Sequence, residues 1–401
     1  MSILWIYDNV IDPQAGGTER ATHLVMAALE ERGYRTAGFL VFRQDQPRVV
    51  CDPKGNRVDN LYAFLKENDV HVVVNQIGYS KWLLQEFLDR GGQRWNEEGG
   101  RIITKLHFDP LMFSTTLRDL TRHWSRRTPI QKVRRLGRIA LLPLERRKAS
   151  RVVREAYTYL IEKSDHFIIL SEKHRQQILA MSGTRQPERI HAIPNPNTFT
   201  VPYPTDRLKQ KRKSVLIVSR LDEPQKRVSL ALKAWAHVMC SSEFDDWTLR
   251  VVGDGDYGED YRDLIAEKHI PNVEFIGRTD PEPYYNDASL YLHTAKREGW
   301  GLTITEAMQK GAVPIVMSSS SVFEELIDHG ENGILSKDGN VKTYAAHISD
   351  LMRHREKREG MAVRAILKTQ QHDLESIVEK WSVVINDRCT TPFGPIRLMP
   401  R

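Results

Sequence analysis

Short runs rich in β-branched residues alternate along this chain with longer amphipathic stretches, which limits the fold to α/β layers around mostly parallel sheets. In the first half, strands are expected at Ile3–Tyr7, Thr36–Val41, Val70–Asn75, Arg101–Leu106, His166–Leu170 and Arg189–Ile193. Helical patterns lie between them over Glu19–Arg32, Val58–Glu67 and Glu172–Ser182. The alternation then stops at a polar stretch: Asn195-Pro196-Asn197, Pro202, Pro204 and a basic run from Arg207 to Lys213. It restarts with Ser214–Ser219, Thr248–Val252, Val273–Gly277, Ala288–His293 and Ala312–Met317. A chain of 401 residues exceeds what one ordinary core supports, so the interruption reads as a boundary. Two domains are expected, 1–197 and 213–370, joined by a linker over 198–212. An apolar stripe at Leu374, Ile377, Val378, Trp381 and Val384 predicts a final helix within 371–401.

Composition excludes several classes. With 40% hydrophobic and 28% charged residues the chain is globular, and no run approaches the ~18–20 apolar residues that span a bilayer. The opening Ile3-Leu4-Trp5-Ile6-Tyr7 reads as a buried strand, not a signal peptide. Cys51, Cys240 and Cys389 are far apart and lack metal-ligand spacing, so a reducing, cytoplasmic compartment is expected. The net charge of +7 belongs to one segment: Arg118 to Arg154 holds thirteen Lys or Arg against Asp119 and Glu145.

In open α/β sheets ligands bind beyond the carboxyl ends of the strands, so the residues just after each strand matter most. After the first strand, Gly16-Gly17-Thr18-Glu19 leads into a helix. Either the glycines admit an anion to the helix N-terminus, or they form a tight connection capped by Thr18. After the fourth, His107 either bonds a sugar hydroxyl or holds the fold together. The second domain opens with Ser219-Arg220-Leu221-Asp222, then Pro224-Gln225-Lys226. Two cations astride a turn suit one phosphate group, though solvated surface cations have the same pattern. Asp254-Gly255-Asp256 invites a metal, but its glycines mark a turn and no further ligand cluster accompanies it, so no metal is expected. Glu298-Gly299-Trp300-Gly301-Leu302-Thr303-Ile304-Thr305-Glu306 places two carboxylates around a glycine-rich helix start. Glu306 is expected in the first helical turn, where Thr303-x-x-Glu306 is equally a capping box.

This last stretch, with the trailing Glu306-Ala307-Met308 and Gly311, resembles the E-x7-E motif of family-four retaining glycosyltransferases with the GT-B fold. Other segments match in the family's order: Gly16-Gly17-x-Glu19, His107, Ser219 to Asp222 with Lys226, Val252 to Gly255, Val273 to Gly277, and Glu325 to Gly333. The resemblance is strong over 214–335 and looser before it. It implies two Rossmann-like parallel-sheet domains facing each other across a cleft, the first taking the acceptor and the second a nucleotide-diphosphate sugar. By this resemblance Arg220 and Lys226 would hold the diphosphate, Glu306 the ribose and Glu298 the transferred sugar. Gly299, Trp300, Gly301, Leu302 and Thr303 would assist. Gly277 and Arg278 would lie against the base, with Gly16, Gly17 and His107 completing the site from the first domain. No metal or other cofactor is implied, because the cation pair replaces it. The catalytic set is thus Glu298, His107, Arg220 and Lys226. Two departures are Pro196, where the family has glycine, and Ser318 to Ser321, in a loop often rich in glycine.

The acceptor is expected to be a saccharide, lipid-diphosphate-linked as in surface-polysaccharide or lipopolysaccharide assembly. The basic amphipathic stretch 118–154 would meet its phosphate or an anionic membrane, unless it is a solvated helix. A sugar-nucleotide epimerase of related fold competes with this reading, as does a non-catalytic sugar-binding scaffold. A nucleic-acid partner is not expected: the basic stretch holds one tryptophan, Trp124, and no recognised module.

Overall fold

A computed structural model describes residues 1–9, 12, 16–43, 49–52, 54–111 and 147–387. The chain divides into two units, one of Met1–Pro196 with the residues from Leu374 onward, the other of Asn197–Asp373.

The first unit is built on β1 (Ser2–Tyr7), β2 (Arg35–Arg43), β3 (Val49–Cys51), β4 (Val70–Asn75), β5 (Arg101–Lys105), β6 (His166–Ile169) and β7 (Ile190–Ala192). Among the described residues these form one sheet in the order β3-β2-β1-β4-β5-β6-β7. Every pairing is parallel except that of β2 with β3. Alternation along β1 explains the two buried faces: Leu4 and Ile6 enter one apolar cluster, Ile3 and Trp5 the other. The second face is covered by helices Gly17–Glu31 and Leu374–Asn386. The stripe on the latter is buried at Ile377, Val378 and Trp381, with the Trp381 ring 5.7 Å from that of Trp5. Burying each such side chain is worth roughly 1.5–3 kcal/mol, which is what fastens a C-terminal helix to the first unit's sheet.

The second unit contains β8 (Arg212–Val218), β9 (Thr248–Val252), β10 (Val273–Gly277), β11 (Ala288–His293), β12 (Val313–Ser318) and β13 (Ile334–Lys337). They form an all-parallel sheet in the order β10-β9-β8-β11-β12-β13. The chain walks outward from β8 to β10, then returns to β11 on the other side. The carboxyl ends of β8 and β11 therefore flank a topological switch point. Helix Val228–Val238 buries Val228, Ala231, Leu232 and Trp235 on this sheet.

The sheets differ from the sequence expectations at two strands. β3 and β13 were not anticipated; at three and four residues they are too short for a period-2 pattern to register. Within the stretch read as an exposed linker most residues are exposed, and Thr205–Gln210 forms a 3₁₀ turn whose Leu208 is buried in the second core. Most of the basic segment 118–154 lies outside the described residues, as do Trp124 and Cys389; its end, 147–154, is helical.

Candidate active site

At the second unit's switch point, β8 ends at Val218 and the chain runs through Ser219, Arg220 and Asp222 to Lys226. The neighbouring loop fixes its path. Gly253 has φ 128°, and a Cβ there would come within 2.0 Å of the Ser219 carbonyl oxygen, so only glycine fits. Leu221 N–H donates to the Asp254 carbonyl (2.7 Å) and Gly253 N–H to that of Gly277 (2.8 Å). The loops after β8, β9 and β10 are thus laced together, which connects Gly277 and Arg278 to Arg220. Asp254 and Asp256 sit in this glycine turn. Among the described residues no group of three or more His, Cys, Asp or Glu is arranged to hold a metal ion.

Lys226 reaches across the switch point. Its ammonium lies 2.5 Å from Glu298 Oε1, with side chains 22% and 15% exposed. The approach is held at both ends: Thr294 Oγ1 donates to the Lys226 carbonyl (3.0 Å), and Gln225 Nε2 donates to the Arg297 carbonyl (2.6 Å). Burial opposes ionisation of Glu298, but Lys226, His293 and Arg220 together outweigh it and hold the carboxyl below its ordinary value. Arg220 remains two-thirds exposed and touches Asp222 at 3.2 Å. Its neighbour Arg227 is committed elsewhere, bonded to the Thr294 and Ala295 carbonyls and paired with Asp338 at 2.6 Å.

The capping-box reading of Thr303 and Glu306 is corrected by the structure. The helix runs Leu302–Gln309 from an N-cap at Gly301 (φ 95°), and no side chain caps it. Thr303 therefore lies inside the helix, and its Oγ1 is 2.8 Å from the Tyr291 hydroxyl. Glu306 is the fifth helical residue, not a first-turn one; it is 2% exposed and accepts a hydrogen bond from Tyr285 Oη at 3.0 Å. Tyr291 titrates well above the ordinary range, through burial first and then the repulsion of Glu298 and Glu306, against the opposing Thr303 bond. Trp300 is buried, edge-on to His372 with centroids 4.9 Å apart. Gly299 joins it to Glu298, and Leu302 opens the helix.

The first unit holds the remaining predicted residues near its own switch point, between β1 and β4. Gly16 caps helix Gly17–Glu31 with extended backbone (φ −173°), so Thr18 is not the cap that one of the two alternatives made it. His107 is buried, and its Nε2 lies 2.6 Å from Gln76 Oε1, which also accepts from Thr22 Oγ1 at 3.1 Å. Burial, and then nearby Lys105, push this imidazole well below its ordinary pKa. Neutral His107 therefore donates through Nε2.

The structure thus gathers Arg220, Lys226, Glu298, Thr303 and Glu306, with Gly277 and Arg278 laced to Arg220, within one unit. In the other, His107 is linked through Gln76 to Thr22, on the helix that Gly16 and Gly17 open. Sequence reasoning missed Gln76, Tyr285, Tyr291 and His293. His293 carried the same signal that singled out His107, a histidine ending an apolar strand, and could have been found that way.

Residues 204–368 match the family described as glycosyl transferases group 1. An uncharacterized glycosyltransferase of Haemophilus influenzae is 28% identical over 240 residues, 59% of this chain and 65% of that protein. The chain therefore spans just under two thirds of that relative's length. The pneumococcal O-GlcNAc transferase GtfA, solved with UDP and GlcNAc, superposes with TM-score 0.67 at 14% identity, covering 96% of this chain and 98% of that one. Anabaena Alr3699/HepE, solved with UDP, gives 0.66 at 19% identity, covering 95% and 98%. These likenesses establish the GT-B architecture of two Rossmann-like parallel-sheet units. The match to the group 1 glycosyl transferases falls within the second of these units.

Proposed function

We propose that the protein is a retaining glycosyltransferase that moves a hexose or N-acetylhexosamine from a nucleotide-diphosphate sugar to a saccharide acceptor, one linked to a lipid diphosphate. The observation that carries this reading is Lys226 beside Glu298 at the second unit's switch point, with Arg220 next to them. An ammonium has three donors, and the carboxylate engages it through one short contact, so others are left for phosphate oxygens. Arg220 supplies a planar fork for the same group. Cations aimed at the leaving diphosphate act where charge develops in the transition state, and they do so without a metal. Glu298 would accept hydroxyls of the transferred sugar and Glu306 those of the ribose, each already fixed by a protein donor. The first N–H groups of helix Leu302–Gln309 have no intrahelical carbonyl to meet and would face the anion. Gly277 and Arg278 would lie against the base, and His107, Gly16 and Gly17 would serve from the first unit.

Relatives support the donor class. Alr3699/HepE was solved with UDP-glucose, and a Bacillus subtilis relative, 24% identical over 229 residues, is a poly(glycerol-phosphate) alpha-glucosyltransferase. For the acceptor, the helical residues 147–162 include exposed Arg147, Lys148, Arg151 and Arg154. A basic face of this kind suits phosphate on a membrane surface. Among the described residues no helix is long and apolar enough to cross one.

Thermal stabilisation by a panel of UDP-, GDP- and ADP-sugars tests the donor reading: one base class should raise the melting temperature, and silence from all of them would refute it. Pelleting with anionic liposomes, lost at moderate salt, tests the surface; binding indifferent to lipid charge would refute that part.

A further inference from the structure

Glu298 has a second neighbour that the transferase reading does not use. His293, the last residue of β11, is 5% exposed, and its Nε2 lies 3.5 Å from Glu298 Oε1. That nitrogen makes no hydrogen bond among the described residues. The other ring nitrogen is engaged: Nδ1 lies 3.3 Å from Tyr291 Oη, which is 2.8 Å from Thr303 Oγ1. A carboxylate oxygen 3.5 Å from Nε2 favours the tautomer with its proton on that nitrogen, directed at Glu298, over one that sets a lone pair against the charge. The ring is braced against Phe323, with centroids 5.3 Å apart. A buried N–H without a partner is costly, and native folds keep such a group where something is to engage it.

We propose that His293 is a positioning residue that takes up Glu298 when donor phosphate draws Lys226 away, through the Nε2–H that faces the carboxylate unpaired. Lys226 holds Glu298, yet the same ammonium is needed on the diphosphate. A neutral N–H 3.5 Å away closes on the carboxylate with a small movement. It keeps the carboxylate charged and aimed while Lys226 divides its bonds. The run Thr303–Tyr291–His293–Glu298 then ties the loop carboxylate to the helix that bears Glu306. The inference rests on the transferase reading of this site.

The test compares wild type with His293→Leu, His293→Asn and His293→Gln at saturating donor, with product inhibition by UDP (or the diphosphate of the base found active) measured alongside. Gln extends an amide to about where Nε2 sits; Asn stops near Nδ1. His293→Leu and His293→Asn should lose about 10- to 100-fold in kcat, as for a misplaced catalytic group, with diphosphate affinity kept. His293→Gln should recover much of the loss. The acid limb of the kcat profile should move to higher pH in His293→Leu, because one cause of the low Glu298 pKa is gone. The charged and titratable groups facing this pair are Lys226, Arg220, Arg227, Tyr291, Tyr344 and Glu306, and all of them stay in place. Unchanged kcat in His293→Leu would overturn the proposal. So would parallel loss of kcat, diphosphate affinity and melting temperature in all three variants, which would mark a purely structural histidine. A wild type that turns over no nucleotide sugar would instead bring down the transferase reading, and this inference with it.

Discussion

Each unit sets a lysine and a histidine at the carboxyl edge of its central strands, but only the second adds a carboxylate to the pair. In the first, Lys105 is 1% exposed, bonded to Asn195 Oδ1 at 3.2 Å, with its ammonium 5.2 Å from the Trp381 ring. No carboxylate joins it among the described residues, and burial lowers its pKa to about 7. In the second, Lys226 has Glu298 at 2.5 Å and keeps partial exposure. Burial is the leading influence on Lys105, His107, His293 and Glu298 alike. At Lys105 no opposite charge answers burial and the cation gives way; at Glu298 the surrounding cations answer it and the carboxylate keeps its charge. On the proposed reading the first unit's lysine belongs to packing, and the second unit's lysine to the donor site.

The largest effect that would sharpen this contrast is on turnover. Lys226→Ala should lower kcat by about 10²–10³-fold, the usual cost of removing one donor that stabilises a developing anion. Steady-state kinetics would read it, with circular dichroism verifying the fold. Lys105→Met should leave kcat within about twofold and raise stability at pH 7 by on the order of 2 kcal/mol, since it removes a buried polar group with little compensation. If both variants lost turnover alike, the distinction between the two lysines would fail.

A pH experiment isolates the same lysine. Its folded pKa of about 7 lies below the ordinary 10.5, so between those values the unfolded chain binds more protons. This group's contribution therefore makes stability rise as pH climbs from about 7 toward 10.5, by at most about 1.4 kcal/mol per pH unit. Urea unfolding at pH 7 and 9 should show that slope in wild type relative to Lys105→Met, and an identical pH response in both would contradict it. The smallest effect is expected at Glu306. Glu306→Gln keeps an oxygen for Tyr285 and loses only charge, so donor KM should rise a few-fold, about 3–10, with kcat nearly unchanged.

Much of this was legible in the sequence, for reasons that differ between elements. Buried parallel strands such as Val70–Asn75 and Ala288–His293 are nearly continuous apolar runs, and their bounds emerge from composition alone. Strand order is not written in any local pattern, so the switch point between β8 and β11 became visible only with the sheet assembled. Glu298 and Lys226 could be singled out because each follows a strand. Their contact could not, since it spans 72 residues. Thr303-x-x-Glu306 misled because a capping box and a buried carboxylate share one spacing; Gly301, free to take φ 95°, moved the helix start two residues earlier and resolved it. Tyr291 was hidden inside a strand read only for its apolar character, whereas His293 ended that strand and was passed over.

The account rests on a diphosphate meeting Lys226 and Arg220 beyond β8 and β11. A crystal of this protein soaked with UDP, and with GDP or ADP if UDP leaves no density, tests that directly. The account predicts phosphate oxygens within about 3 Å of Lys226 Nζ and the Arg220 guanidinium, with Glu298 still close by. Nucleotide density lodged elsewhere on the second unit, with both cations turned away from it, would contradict it.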